Sequence, residues 1–278
     1  MRTKMILRRV VRDPQAILGL TLLLALVLLA YVGPHLGAWE WNQKDFRAFR
    51  KPPSESHWFG TTQIGGDVWA ITLRGMQKSI IVGLLAGVIA TFLAAIVGAV
   101  AGYFGGWVDR TLMWFTDLLL VLPSFLIIAI LSPRLKGESW LWFVLLLALF
   151  AWMLTGRVVR AMTISLRERE YVLAAVYAGV PTWKVITRHI LPNLASLLII
   201  DATLGVGGAI LGETGLSFFG FGIQPPDVSL GTVIADSARQ VVAYPWIFLP
   251  AAGLLILLVL SINLVGDALR DAMDPGKA

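Results

Sequence analysis

The chain has 278 residues, 57% of them hydrophobic and 14% charged, with a net charge of +6 and no cysteine. A soluble domain carries about 25% charged residues, so a 14% share is too small to clothe a fold of this length in water, and a mean hydropathy of +0.77 makes lipid its main solvent. Disorder, collagen-like repeats and a disulfide scaffold are excluded. The basic excess would suggest nucleic acid in a soluble protein; in a membrane protein it follows from the Lys and Arg that collect in cytoplasmic loops.

A helix crosses the hydrocarbon core in about 20 residues. Residues 14–39 lack Asp, Glu, Lys and Arg, and 16–33 are nearly all apolar. They predict a cytoplasmic N-terminus over 1–13 and a first span over 14–33. That run is too long for a signal-peptide core and lacks a small-x-small cleavage site, so the span is read as uncleaved. An extracytoplasmic segment, 34–78, leads into a five-helix core over 79–267. Charge-free runs at 79–108, 139–156 and 240–266 supply three of its spans. Apolar runs at 111–133 and 190–212, carrying Asp117 and Asp201 respectively, supply the other two. A cytoplasmic C-terminus over 268–278 closes the chain.

Basic residues orient these six spans. Arg2, Lys4, Arg8, Arg9 and Arg12 precede the first span; Arg157, Arg160, Arg167, Arg169, Lys184 and Arg188 lie between the fourth and fifth. Six crossings put both groups on one side, the cytoplasm. Segment 34–78 runs against the rule with six basic residues, set against Glu40, Asp45, Glu55 and Asp67. Trp107, Trp140, Trp142 and Trp246 stand near span ends, as interfacial anchors do. Gly83, Gly87, Gly98, Gly102 and Gly106 give the second span small-xxx-small spacings that allow close helix approach, either as ordinary membrane packing or as the lining of a moving interface.

Residues 157–193 are too rich in Arg and Glu to span. Ser165 and Glu168 fit a capping box starting a short helix that runs to about Ala178. Gly179 suits the left-handed position that ends helices, with Pro181 just beyond. A second short helix from Thr182 then leads to Leu191-Pro192 and the fifth span. The expected product is a helix–bend–helix over 165–190 with a low-relief surface at Ala174, Ala175 and Gly179.

Ala174-Ala175, then Gly179, then Leu191-Pro192 resembles the EAA loop of ABC-importer permease subunits. Leu173 stands at that motif's Glu position, with Glu170 one turn earlier, and His189 stands at its Ile position; both are common wording in the peptide-permease branch. Residues 60–83 (GTTQIGGDVWAITLRGMQKSIIVG), 102–124 (GYFGGWVDRTLMWFTDLLLVLPS), 215–231 (GLSFFGFGIQPPDVSLG) and 263–275 (NLVGDALRDAMDP) look like further blocks of the C-type subunits of dipeptide and oligopeptide permeases, in wording closest to actinobacterial dipeptide permeases. Gly66 stands where that family often has Arg. The resemblance implies an all-α membrane protein with the six transmembrane helices of the type I ABC importer permease fold. It also implies a coupling helix, with Glu170, Ala174, Ala175 and Gly179, that docks on an ATPase subunit. The implied partners are a second permease subunit, two ATPase subunits that bind ATP and Mg, and an extracytoplasmic solute-binding protein. The implied place is the bacterial inner membrane, with both termini cytoplasmic.

No G-x-x-x-x-G-K-[ST] occurs, so this chain is expected to carry no ATPase site of its own. His35, His57 and His189 are scattered, and no nucleophile–base set is visible; neither a metal site, a catalytic site nor a cofactor is expected. Acids within spans are functional candidates because a charge in lipid must be paired or wet. Asp201 faces a translocation cavity, where it would attract a peptide's amino group, or else makes a structural hydrogen bond to a neighbouring helix. Asp117, near the cytoplasmic end of the third span, reads as solvated or capping, and Glu213 as part of an outer gate. Segment 213–245 reads as an apolar outer loop. The expected activity is import of dipeptides or short oligopeptides, with nickel chelates or haem as alternative cargo. An ion-coupled secondary transporter or a non-transporting scaffold are the rival classes.

Overall fold

The computed structural model describes residues 10, 12–135 and 139–273. Residues 1–9, 11 and 274–278, and with them most of the basic N-terminus and the last part of 268–278, lie outside the described residues. Among the described residues the fold is helical, with only two isolated β-bridges, Lys44 to Gly66 and Thr61 to Asp67. The protein is an all-α, multi-pass membrane protein. Four stretches are long and apolar enough to cross a bilayer alone: Pro14–His35, Val68–Phe104, Thr182–Phe218 and Pro245–Met273. Two bent helix pairs bring the number to six when each pair is one span.

Helix α1 (Pro14–Val32) starts under Asp13, whose carboxylate accepts from the Gln15 amide at 2.9 Å, with Pro14 in the first turn where its missing N–H costs nothing. Segment 33–67 then folds on the opposite end of the bundle. His57 is buried there, bonded through Nδ1 to Asp67 at 2.8 Å and stacked on Trp39 at 5.0 Å.

Helix α2 (Val68–Phe104) has 37 residues and is about 55 Å long at 1.5 Å per residue. It starts at Val68, not near Ser79, because Asp67 caps it (Ala70 N–H to Oδ2, 2.9 Å). Its early turns also carry their own charge partners. Arg74 lies over the Trp41 ring and donates to Gln77, while Lys78 is paired with Asp227. These contacts account for two of the six basic residues that oppose the orientation rule. At its other end Gly105 and Gly106, at φ 63 and 55, stop α2 before the expected limit.

The third apolar run is not one straight span. Helices α3 (Gly106–Val121) and α4 (Ser124–Leu131) meet at 77°. Pro123 has no N–H to continue the helix and pushes Leu122 into an extended conformation (φ −73, ψ 130). Helices α5 (Leu141–Ala151) and α6 (Met153–Arg167) meet at 47°. Helix α6 runs straight through Ser165, so the capping box with Glu168 does not form. The helix is carried on to Arg167, whose Nη1 donates to the Tyr103 carbonyl at the end of α2 at 2.9 Å, a long-range anchor no local pattern reveals. After it come α7 (Glu170–Tyr177), α8 (Thr182–Val185), a π-turn over Ile186–Ile190, α9 (Leu191–Phe218), α10 (Leu230–Ala238) and α11 (Pro245–Met273). About half of segment 213–245 is therefore helical: α9 runs on to Phe218, and α10 fills the middle of the expected loop.

Helix α2 is the spine, touching α1, α3, α5, α6, α9, α10 and α11. Its glycines decide how close the neighbours come. A Cβ placed on Gly87 would lie 2.8 Å from the Val206 nitrogen of α9, and one on Gly102 would press on the Arg160 carbonyl of α6. Gly83 and Gly98 make the same approaches one turn away, to Ile210 and to Gly156. Gly106 takes no part; it opens α3 with free space around it. In lipid no hydrophobic force pushes helices together, so backbone-to-backbone approach supplies much of the contact energy.

Gly87→Leu is expected to lower stability by about 2 kcal/mol through overpacking against rigid backbone. Gly253→Ala on α11, with nothing within 4 Å of the added carbon, is expected to be neutral. Thermal unfolding of the two variants in detergent, followed by monodisperse recovery, checks the contrast.

Candidate functional site

At the end of the bundle holding the 157–190 segment, α7 projects as a tip. Glu170 sits in its first turn, where an acid complements the helix dipole. Gly179, at φ +75, ends the helix. Its N–H bonds the Val176 carbonyl at 3.0 Å, and the Val180 N–H bonds the Ala175 carbonyl at 3.1 Å, the paired geometry of a Schellman cap. Pro192 offers no N–H to the preceding turn, and the chain widens into the π-turn before it. The Asn193 side chain donates to the His189 carbonyl at 2.7 Å.

Val172 plugs this tip into the bundle. It is fully buried in one cluster with Ala99 of α2, Val159 of α6, Val185, Ile186, Ile190 and Leu194. The outward face behaves oppositely: Tyr171, Leu173 and Val176 are exposed, Tyr177 is 86% exposed and Trp183 62%. Ala174 is exposed and Ala175 half-buried, so the four expected docking residues share one short projecting element. The tip thus presents an apolar, aromatic surface on an otherwise polar segment.

Asp201 lies on α9 in the wall of a cavity of about 360 Å³ lined also by Gly87, Thr91, Phe125, Phe150 and Gly205. Its carboxylate accepts from Thr91 of α2 at 2.5 Å and from Thr155 of α6 at 2.6 Å. The two readings of this acid are thus compatible in space: it bonds neighbouring helices and borders a cavity.

Glu213 does not reach that cavity. It is wholly buried beneath α10, and its Oε1 accepts from Ser217 and from Ser229, each at 2.6 Å. Ser229 is the N-cap of α10 and forms a capping box with Thr232, so Glu213 ties α9 to α10. Asp117 is exposed and paired with Arg157; nearby Asp109 takes Arg160 in a two-pronged ion pair. Both pairs bind α3 to α6. Among the described residues no group of three or more metal-ligating side chains is assembled.

The profile described as binding-protein-dependent transport system inner membrane component matches residues 83–278, and that of the N-terminal TM domain of oligopeptide transport permease C matches residues 2–53. The chain belongs to this permease family. It is 54% identical over 275 residues to the oligopeptide transport system permease protein OppC of Mycobacterium tuberculosis, covering 99% of this chain and 94% of that one. It is 37% identical to a putative peptide permease protein of Brucella suis (96% and 89% covered). Identity to the dipeptide transport system permease protein DppC of Alkalihalophilus pseudofirmus is 35% (95% and 86% covered).

The end of the bundle opposite the 157–190 segment is tied together by a buried cation. Lys78 of α2 is only 7% exposed; its ammonium pairs with Asp227 at 2.8 Å and lies 4.3 Å from the Trp140 ring centroid. Trp140 is thus a lid on a buried cation as well as a span-end aromatic. One charge cluster joins α2, the start of α5 and the 219–229 loop. The signal was present in sequence as a Lys and an Arg standing in helical register just after a capping Asp.

Removing one partner of this pair strands the other. Asp227→Ala is expected to cost about 2 kcal/mol, below the usual penalty for a buried pair because Asp227 is partly exposed. Lys78→Met/Asp227→Ala is expected to recover most of that loss. Unfolding midpoints of the single and double variants measure the coupling.

Proposed function

We propose that the chain is the membrane-spanning subunit of an ATP-driven importer for dipeptides or short oligopeptides, forming half of the translocation pathway. The observation that carries this reading is the match to peptide permeases along almost the whole chain, including the 165–190 segment. In this reading the 157–190 end and both termini face the cytoplasm, and the membrane is the bacterial inner membrane. The α7 tip, with Glu170, Ala174, Ala175 and Gly179, is the coupling helix. It seats on one of two ATPase subunits, which bind the ATP and Mg. A second permease subunit completes the pathway, and an extracytoplasmic binding protein delivers cargo.

The mechanism follows from two-state physics. ATP shifts the assembly only as far as it binds one state better than the other. The tip is where that difference enters this chain. Val172 and its cluster join the tip to the ends of α2, α6 and α9, so displacement of α7 moves those helices as bodies. Asp201 then stands on a helix that moves, in a cavity wall, with its charge held by two threonines. It would meet the amino group of a peptide there. Dipeptides and short oligopeptides come before nickel chelates or haem in this reading because the matched relatives are named as oligopeptide and dipeptide permeases.

Uptake of a labelled dipeptide by cells lacking this chain, with and without complementation, tests the assignment; uptake lost on deletion and restored on complementation is the expected result. Equal uptake in both strains, with other peptide systems removed, contradicts it. Ala174→Arg, at an exposed position that leaves folding intact, is expected to reduce uptake at least tenfold and to release the ATPase subunits on purification. Asp201→Asn keeps the side-chain shape and removes the charge. It is expected to leave assembly intact and to cut uptake at least tenfold; unchanged uptake would make Asp201 a structural residue only.

A further inference from the structure

A second, larger cavity opens at the other end of the bundle. Its volume is about 560 Å³, in the range of small-molecule sites. Its walls come from the 41–66 segment, the loop after α9 and one face of α10. It shares no lining residue with the cavity around Asp201, so it is a separate site.

Three polar side chains in its wall carry an acceptor oxygen that no described residue satisfies. Asp236 of α10 lines the wall, and its carboxylate has no hydrogen bond or ion pair with any described residue. The Gln240 Oε1 is buried there without a partner, its amide nitrogen being spent on Gln63 at 3.2 Å. Gln224 likewise commits its amide nitrogen to the Gly220 and Gly222 carbonyls, leaving its oxygen as the free end. Of the charged groups that share the wall, Asp227 is neutralised by Lys78, and Lys44 stands on the opposite segment without an ion pair. Ile64, Ile71 and Val228 supply apolar surface beside these acceptors. The buried Gln240 oxygen costs free energy until a donor arrives, and the exposed Asp236 carboxylate beside it on the same cavity wall supplies an unpaired negative charge, so a positively charged group with several N–H donors suits this wall.

We propose that this outer cavity is a receptor for a basic group on an apolar stem, an ammonium or guanidinium of the lysine or arginine kind, with Asp236 as its counter-ion and the Gln240 carbonyl as its second acceptor. The group arrives either on cargo peptide or on a protein docked at the outer face. Partial burial holds the Asp236 carboxyl above its ordinary range. The bound cation needs the ionised form, so binding tightens as pH rises through that titration and weakens below it.

The test is calorimetric titration of the intact transporter complex in lipid nanodiscs, at low salt, with n-butylguanidinium and its neutral analogue n-butylurea. The expected result is saturable binding of the cation at one site per copy of this chain, and none of the urea. Asp236→Asn is expected to weaken binding at least tenfold, Asp236→Glu to retain most of it, and Lys44→Met to tighten it by removing a like charge. Displacement of the probe by an arginine-containing dipeptide assigns the group to cargo; displacement by the binding protein alone assigns it to that protein. Equal binding by wild type and Asp236→Asn, equal binding of cation and urea, or displacement by neither competitor overturns the proposal. The displacement arms rest on the importer reading. The probe titration does not, so its failure leaves that reading untouched, and lost dipeptide uptake leaves the titration valid.

Discussion

Two pairs of glycines on one helix set the closeness of the whole bundle. Gly83 and Gly87 let α9 lie against α2, and Gly98 and Gly102 let α6 do the same further along. Hydrocarbon gives no solvent-driven push between helices, so their positions are fixed by how near the backbones come. The consequence reaches both candidate sites. Helix α6 leads into the projecting tip and α9 carries Asp201, so the tip and the cavity acid are registered on the same rod.

The tip itself is built to be stiff where it joins the bundle and open where it faces outward. A Schellman cap closes α7, Pro181 and the π-turn redirect the chain, and the Asn193 side chain donates back to the His189 carbonyl. Val172 is buried inward while Tyr177 and Trp183 are presented outward. At the opposite end the Lys78–Asp227 pair and the Glu213–Ser229 bond hold the loop after α9 and the start of α10 against the spine. Any movement of that loop away from the spine would have to break or carry those contacts.

Much of this is legible in sequence where physics leaves one solution. Spans can be read because a chain in lipid must satisfy its own backbone, and Gly179 because a left-handed residue at a helix end favours glycine. Features that depend on distant partners are hidden. Lys78 ended the charge-free run and so shortened α2, since nothing local says that Asp227 and Trp140 will cover it. Ser165 and Glu168 made a plausible local box, which lost to the continuation of α6 through Arg167 and the Tyr103 carbonyl. Pro123 is a different case: the break was written in the sequence, but an unbroken apolar run outweighed it. The partners of Asp201, Thr91 and Thr155, lie on two other helices and could be named only once those helices were set side by side.

Because the chain has no cysteine, a single reporter can be placed without background. Tyr177→Cys, at a highly exposed position of α7, carries a short bifunctional cross-linker in the assembled transporter. The account predicts one dominant cross-link, to an ATPase subunit, whose yield changes when ATP is bound. A cross-link absent in both nucleotide states, in a complex that still takes up dipeptide, would contradict the claim that force enters this chain through α7.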